Sequence, residues 1–225
     1  QHQIEFSHEA GFYDTPFYLK IDNSTGTILY TYQNNLSRRS RVLYDSLLID
    51  NTTTISFGLY NGDSVINLGS KSYFISFKTK FNIVSLTISN RSLYDSISGI
   101  YVDGPNAKYD SSLSVVTGCP VMLNSNYSRN SEREVYVEIF DAKGNRIVNQ
   151  DAGICIFGGL SRYYPEKSLR IIARKKYGNS RFHSNIFNQG KKKYKQFVLR
   201  HSGNDYRKTR FKDVLSTTIA SESGI

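Results

Sequence analysis

The chain has 225 residues, a formal charge of +10, 13% aromatic residues without a single Trp, and only four Pro. That length admits one large domain or two small ones, and a hydrophobic content of 39% excludes an overall disordered chain. No apolar run approaches the roughly 20 residues of a membrane helix, so no transmembrane segment is expected.

In chain order, FYLKI (17–21), TILYTYQ (27–33), VLYDSLLI (42–49), TTISFGLY (53–60) and KSYFISF (71–77) are rich in β-branched and aromatic residues, which predicts strands. DNSTG, NNLSRRS, DN and NGDS between them are turn chemistry. Strands recurring this often without a helical pattern predict a small β-sandwich over 1–80, of the Ig or fibronectin III kind. A boundary falls near 78–84, and FNIVSLTI (81–88) opens the second part as a buried strand. EVYVEIF (134–140), the turn DAKGN, RIVNQDAGICIF and KSLRIIARKKYG then predict an antiparallel meander, with QFVLR (196–200) as a further strand. At the end, Phe211, Val214, Leu215 and Ile219 fall on one face of a helix, with Asn204 or Asp205 as its cap. The expected fold class is mainly β with an α+β second part, in two domains, 1–80 and 81–225.

Charge is uneven along the chain. Residues 160–215 hold 16 Lys and Arg against 3 Asp and Glu, so an anionic partner is expected for the second half. The basic runs RKKYG (174–178) and KKKYK (191–195) each carry a tyrosine, as nucleic-acid grips do, but no RNA-binding or zinc-finger signature accompanies them. Nucleic acid is therefore not the expected partner. Cys119 and Cys155 allow at most one disulfide and have no zinc-ligand spacing. Five Asn-x-Ser/Thr sequons occur, at Asn23, Asn35, Asn51, Asn90 and Asn126, and carry little weight in a chain so rich in Asn and Ser.

No Gly-x-Ser-x-Gly elbow, paired-His metal spacing or compact carboxylate pair is present. The stretch of most interest is GGLSRYYPEKSLRI (158–171). It is not a Walker loop, because Glu166 stands where the glycine before the lysine belongs, and the Lys–Ser pair opens a strand. Its glycines would let backbone approach a phosphate, Arg162 offers a fork of donors, and Lys167 leads the strand on the face of Leu169, Ile171 and Ala173. A plain hairpin turn is the other reading, and the residues alone leave both open.

The order SGIYVDGPNA (98–107), REVYVEIFDAKGN (133–145), NQDAGICIFGGLSRYYPEKSLRIIARKKYG (149–178) and KQFVLRHSGNDYRKTRFKDVLSTTIA (195–220) resembles the spore-coat-protein-H (CotH) kinase-like family over roughly 82–225. FSHEAGFYDTPFYLKI with ILYTY and IDNTTTI resembles the chitobiase/β-hexosaminidase C-terminal sandwich module, although QNNLSRRS replaces that module's usual Asp-Gly-Ser-type turn. Cys155 likewise departs from a strand position that is often basic or polar in the CotH family.

The resemblance implies a kinase-like N-lobe portion of an exported bacterial protein, extracellular, surface-bound or periplasmic. It implies ATP with Mg as cofactors and Ser/Thr of secreted, surface or coat proteins as phosphate acceptors. Lys167 would be the nucleotide-phosphate lysine, with Gly158, Ser161 and Arg162 in the phosphate-facing turn and Asn204, Asp205 and Arg210 in the segment beneath it. The family's metal-binding and catalytic carboxylates lie further downstream, so the chain is expected to be truncated and inactive alone, and its start at Gln1 to reflect processing or trimming. The rival expectation is a non-catalytic surface protein whose sandwich recognises a glycan or a partner protein.

Overall fold

The computed structural model describes residues 4–22, 26–32, 35–187, 190, 192–202, 205 and 208–223. Its elements are β1 (Glu5–Phe6), β2 (Gly11–Tyr13), β3 (Phe17–Asp22), β4 (Thr27–Thr31), β5 (Arg41–Val42), β6 (Ser46–Ile49), β7 (Thr53–Tyr60), β8 (Val65–Ile75) and β9 (Ile83–Thr87). There follow α1 (Asn90–Tyr94), β10 (Lys108–Asp110), α2 (Ser111–Thr117), β11 (Val121–Leu123), β12 (Arg133–Phe140), β13 (Arg146–Phe157), β14 (Ser168–Ile172), β15 (Gln196–Leu199) and α3 (Lys212–Glu222). The fold is mainly β, built from antiparallel sheets and ending in a helix. Among the described residues no helix is long and apolar enough to cross a membrane.

By its internal contacts the chain divides into unit 1 (1–90, 134–152 and 173–195) and unit 2 (91–133, 153–172 and 196–225). The expected division at residue 80 is thereby redrawn. Its physical reason is strand pairing across long sequence distances: β9 pairs antiparallel with β12, Val84 opposite Ile139, and this holds 83–87 and 134–140 in unit 1.

In unit 1 the sheets β1-β3-β6 and β2-β8-β7-β4-β5 form a sandwich. Leu19 and Ile49 from the first meet Ile28, Ile55, Phe57, Leu59 and Tyr73 from the second in one buried cluster. Strand periodicity explains the other face of β7 and β8: Ser56 bonds Ser70 at 2.8 Å and Thr54 bonds Ser72 at 2.9 Å, so this face is closed by paired hydroxyls. Ser72 continues to Ser85 on β9 at 2.7 Å. VLYDSLLI is not one strand. The chain turns at Tyr44, which is 93% exposed, so that β5 pairs with β4 while β6 pairs with β3 in the opposite sheet.

Unit 2 holds the end of β13 paired with β14, and β14 with β15, in the expected antiparallel order. α2 was not expected. Its signals are present, however: the Asp110 carboxylate accepts from the Leu113 N–H at 2.8 Å, and Gly118 ends the helix in the left-handed region at φ 66°. α3 forms as expected, but neither expected residue is its N-cap. Phe211 occupies that position, Asn204 lies outside the described residues, and Asp205 reaches over from seven positions upstream to accept the Lys212 N–H at 3.2 Å. The stripe of α3 is exposed, Phe211 at 52% and Val214 at 63%. Cys119 and Cys155 are both buried and are not joined to each other in a disulfide.

Candidate functional site

β13 delivers the chain to Gly158, whose φ of +123° is one that side-chain-bearing residues rarely adopt. A Cβ there would also run into the Ser161 hydroxyl, so the glycine is required twice over. Residues 160–163 then make a single 3-10 turn, closed by Arg162 N–H to Gly159 O at 3.1 Å. The Arg162 guanidinium folds back over this turn. Nε donates to Gly158 O, Nη1 to Ser128 O at 3.0 Å, and Nη2 to Asn130 Oδ1 at 2.8 Å. Of its five N–H donors, one thus closes on Gly158 O within the turn and two tie the turn to the 128–130 segment.

Lys167 precedes β14, so the strand alternation that would align it with Leu169 and Ile171 does not extend to it. Its N–H donates to the Tyr101 hydroxyl at 2.9 Å, and its ammonium curls under the turn to Arg162 O and Tyr164 O, both at 2.8 Å. The Tyr127 ring centroid lies 3.9 Å from Nζ. The acceptors are neutral, and among the described residues Lys167 makes no ion pair. Burial pushes its pKa down to about 8, against the pull of Asp103 and Cys119. Tyr127 donates its hydroxyl to Asp103 Oδ1 at 2.8 Å, and burial together with that bond pushes its own pKa up.

Beside the segment that Arg162 holds lies a depression of about 460 Å³, lined by 105–108, Asn124, Ser128 and Arg129. Lys108 and Arg129 line it without an ion pair among the described residues. Gly104, at φ +79°, lets the chain pass directly over the Asn126 carboxamide, which donates to Ile97 O at 3.1 Å. This second cationic surface is not among the features expected from the sequence. Its only sequence signal is the turn chemistry of DGPN.

The structure thus brings together Gly158, Ser161, Arg162 and Lys167. Arg210 reaches the same neighbourhood by a bidentate pair with Glu166, 2.9 and 3.1 Å, next in sequence to Lys167. The Asp205 carboxylate accepts from the Thr209 hydroxyl and from the N–H groups of Thr209 and Lys212, and these bonds lower its pKa, while its carbonyl accepts the Arg210 N–H at 3.3 Å. His201 is buried, its N–H donating to Ser168 Oγ at 3.2 Å and its ring 5.6 Å from that of Tyr164. Among the described residues no group of three His, Cys, Asp or Glu gathers as metal ligands. Comparison with family models, with curated proteins and with solved structures gives no match to this chain.

Proposed function

We propose that unit 2 grips the phosphates of a nucleotide, as part of a CotH-like atypical protein kinase that phosphorylates Ser/Thr of exported proteins. The observation that carries this reading is the state of Lys167. An ammonium taken partly out of water and held by two carbonyls and the rings of Tyr127 and Tyr101 is electrostatically under-compensated. A phosphate oxygen is a stronger partner for it than either carbonyl. Lys108 and Arg129 extend the positive surface along the neighbouring depression. Phosphoryl transfer is mainly positioning and charge neutralisation, which cations at the ends of rigid strands supply. The described residues fit the phosphates of ATP. They offer no carboxylate cluster for Mg, which on this reading arrives with the nucleotide.

Titration calorimetry with Mg-ATP tests the proposal. Binding is expected for the wild type and for Lys175→Ala, an exposed lysine of unit 1, and is expected to weaken at least tenfold in Lys167→Ala. Folded protein that takes up no Mg-ATP, or equal affinity in Lys167→Ala, would overturn it.

A further inference from the structure

We infer that the sandwich of unit 1 carries a binding site for a short acidic oligosaccharide, built on the loop SRRSR (37–41). Between Asp22 and Asp45 the sequence has three arginines and no acidic residue. Among the described residues, Arg38, Arg39 and Arg41 have no carboxylate in ion-pair contact. Asp50 is near enough to act on Tyr32, but its Oδ1 accepts from the Asn51 amide.

The loop is shaped by its serines. Ser37 N–H donates to Ser40 Oγ, Ser40 N–H returns to Ser37 O, both at 3.0 Å, and Arg39 N–H donates to Ser37 Oγ at 3.2 Å. Two guanidiniums are then laid on tyrosine rings, Arg38 on Tyr60 and Arg41 on Tyr32, each 5.6 Å from the centroid. Such stacking restrains an arginine while leaving its fork of donors free for a ligand. β4 and β5 fix the frame, with Tyr30 opposite Arg41 in register, and Tyr30 meets Tyr32 edge to face at 6.0 Å. Tyr30, Tyr32, Asn35, Arg39 and Arg41, with the two loop serines, line a depression of about 390 Å³, and Arg38 on Tyr60 lies outside that lining.

Each part of the site matches one part of the ligand. Guanidinium forks take carboxylates or sulfates bidentately. A tyrosine that is 47% exposed, Tyr32, offers an apolar ring for the C–H face of a sugar. Asn35, Ser37 and Ser40 supply the donors and acceptors that sugar hydroxyls need. The volume falls in the range of small-ligand sites, about 300–1,000 Å³. Single-stranded nucleic acid is disfavoured, because its grip needs a track of cations and rings over several nucleotides.

The experiment uses trigalacturonate as the carboxylated probe, maltotriose as its neutral counterpart and a short oligothymidylate, each titrated into the full chain by calorimetry. Trigalacturonate is expected to bind, and to lose at least tenfold in affinity in the double variant Arg39→Ala/Arg41→Ala and in Tyr32→Ala. Lys175→Ala/Lys176→Ala removes the same charge from another exposed loop and is expected to change affinity less than threefold. Circular dichroism confirms that each variant is folded. Four results would overturn the inference: no trigalacturonate binding, equal binding of maltotriose, equal losses in the two double variants, or tighter binding of oligothymidylate through the same arginines. Mg-ATP affinity in Arg39→Ala/Arg41→Ala is expected to stay at the wild-type value, so the failure of this site and that of the Lys167 reading are told apart.

Discussion

Replacing Lys167 with Met keeps the stem of the side chain under the 3-10 turn and removes the charge. The lysine titrates near 8 in the folded chain instead of at its ordinary 10.5. Because the lowered value belongs to a base, the folded protein gives up this proton before the unfolded chain does. The burden of holding the cation is full below about pH 8 and is relieved as pH rises toward 10.5. At about 1.4 kcal/mol per pH unit the gross effect is roughly 3 kcal/mol. Lys167 keeps some contact with solvent, and discounting by half for screening leaves about 1–2 kcal/mol. Urea melts of wild type and Lys167→Met across this pH range measure it as a difference, which cancels the titration of the many tyrosines. The wild type is expected to gain on the variant by that amount between pH 8 and 10.5, on top of a constant offset from the two lost carbonyl bonds. Mg-ATP bound at the lysine would raise its pKa and flatten the gain. A difference that stays constant over the whole range would refute the view that Lys167 is under-compensated.

Glu138 is 1% exposed, and burial raises its pKa although Arg146 Nη1 donates to Oε1 at 3.1 Å. For an acid raised in the folded state, the stabilising contribution is full below 4.5 and lost as pH rises through the folded value. Glu138→Gln is therefore expected to gain on the wild type over that interval, read by thermal melts at a series of pH values; parallel curves would contradict it. Gly158→Ala places a Cβ at φ +123° against the Ser161 hydroxyl and is expected to destabilise unit 2 by about 1–3 kcal/mol in the same melts. Leu215→Ser on α3 changes a side chain that is 46% exposed, and urea melts are expected to show a shift below about 0.5 kcal/mol.

Most strands were legible because β-branched and aromatic runs between turn residues specify them locally: β3, β4, β7, β9, β12 and β13 lie where composition puts them. What periodicity lacks is the identity of the partner. VLYDSLLI has the composition of one strand, yet Val42 pairs with Leu29 and Leu48 with Tyr18 in different sheets. β8 begins six residues before the KSYFISF run, because Val65–Ser70 continues the hairpin opposite Tyr60–Ser56. The 3.6-residue pattern of Phe211, Val214, Leu215 and Ile219 gives a helix correctly and leaves open what, if anything, covers its apolar stripe.

The candidate site divides along the same line. That Gly158, Ser161, Arg162 and Lys167 lie together is readable from their spacing, since a tight turn between paired strands must gather them. Where their hydrogens point is not readable, because the acceptors come from distant segments: Ser128 O and Asn130 for Arg162, the Tyr127 ring for Lys167. Those segments are themselves placed by Gly104 passing over Asn126 and by Tyr127 donating to Asp103. A hairpin lysine in water would leave its own turn open to solvent. Here it closes the turn by taking the carbonyls of Arg162 and Tyr164, so on the proposed reading a phosphate would compete with two bonds of 2.8 Å. The ligand's charge decides that competition. Neutral acceptors leave the ammonium with a depressed pKa, and an anion relieves that penalty as it binds. On the proposed reading, affinity for an anion and the alkaline gain in stability would have one origin, and Lys167→Met is expected to abolish both together.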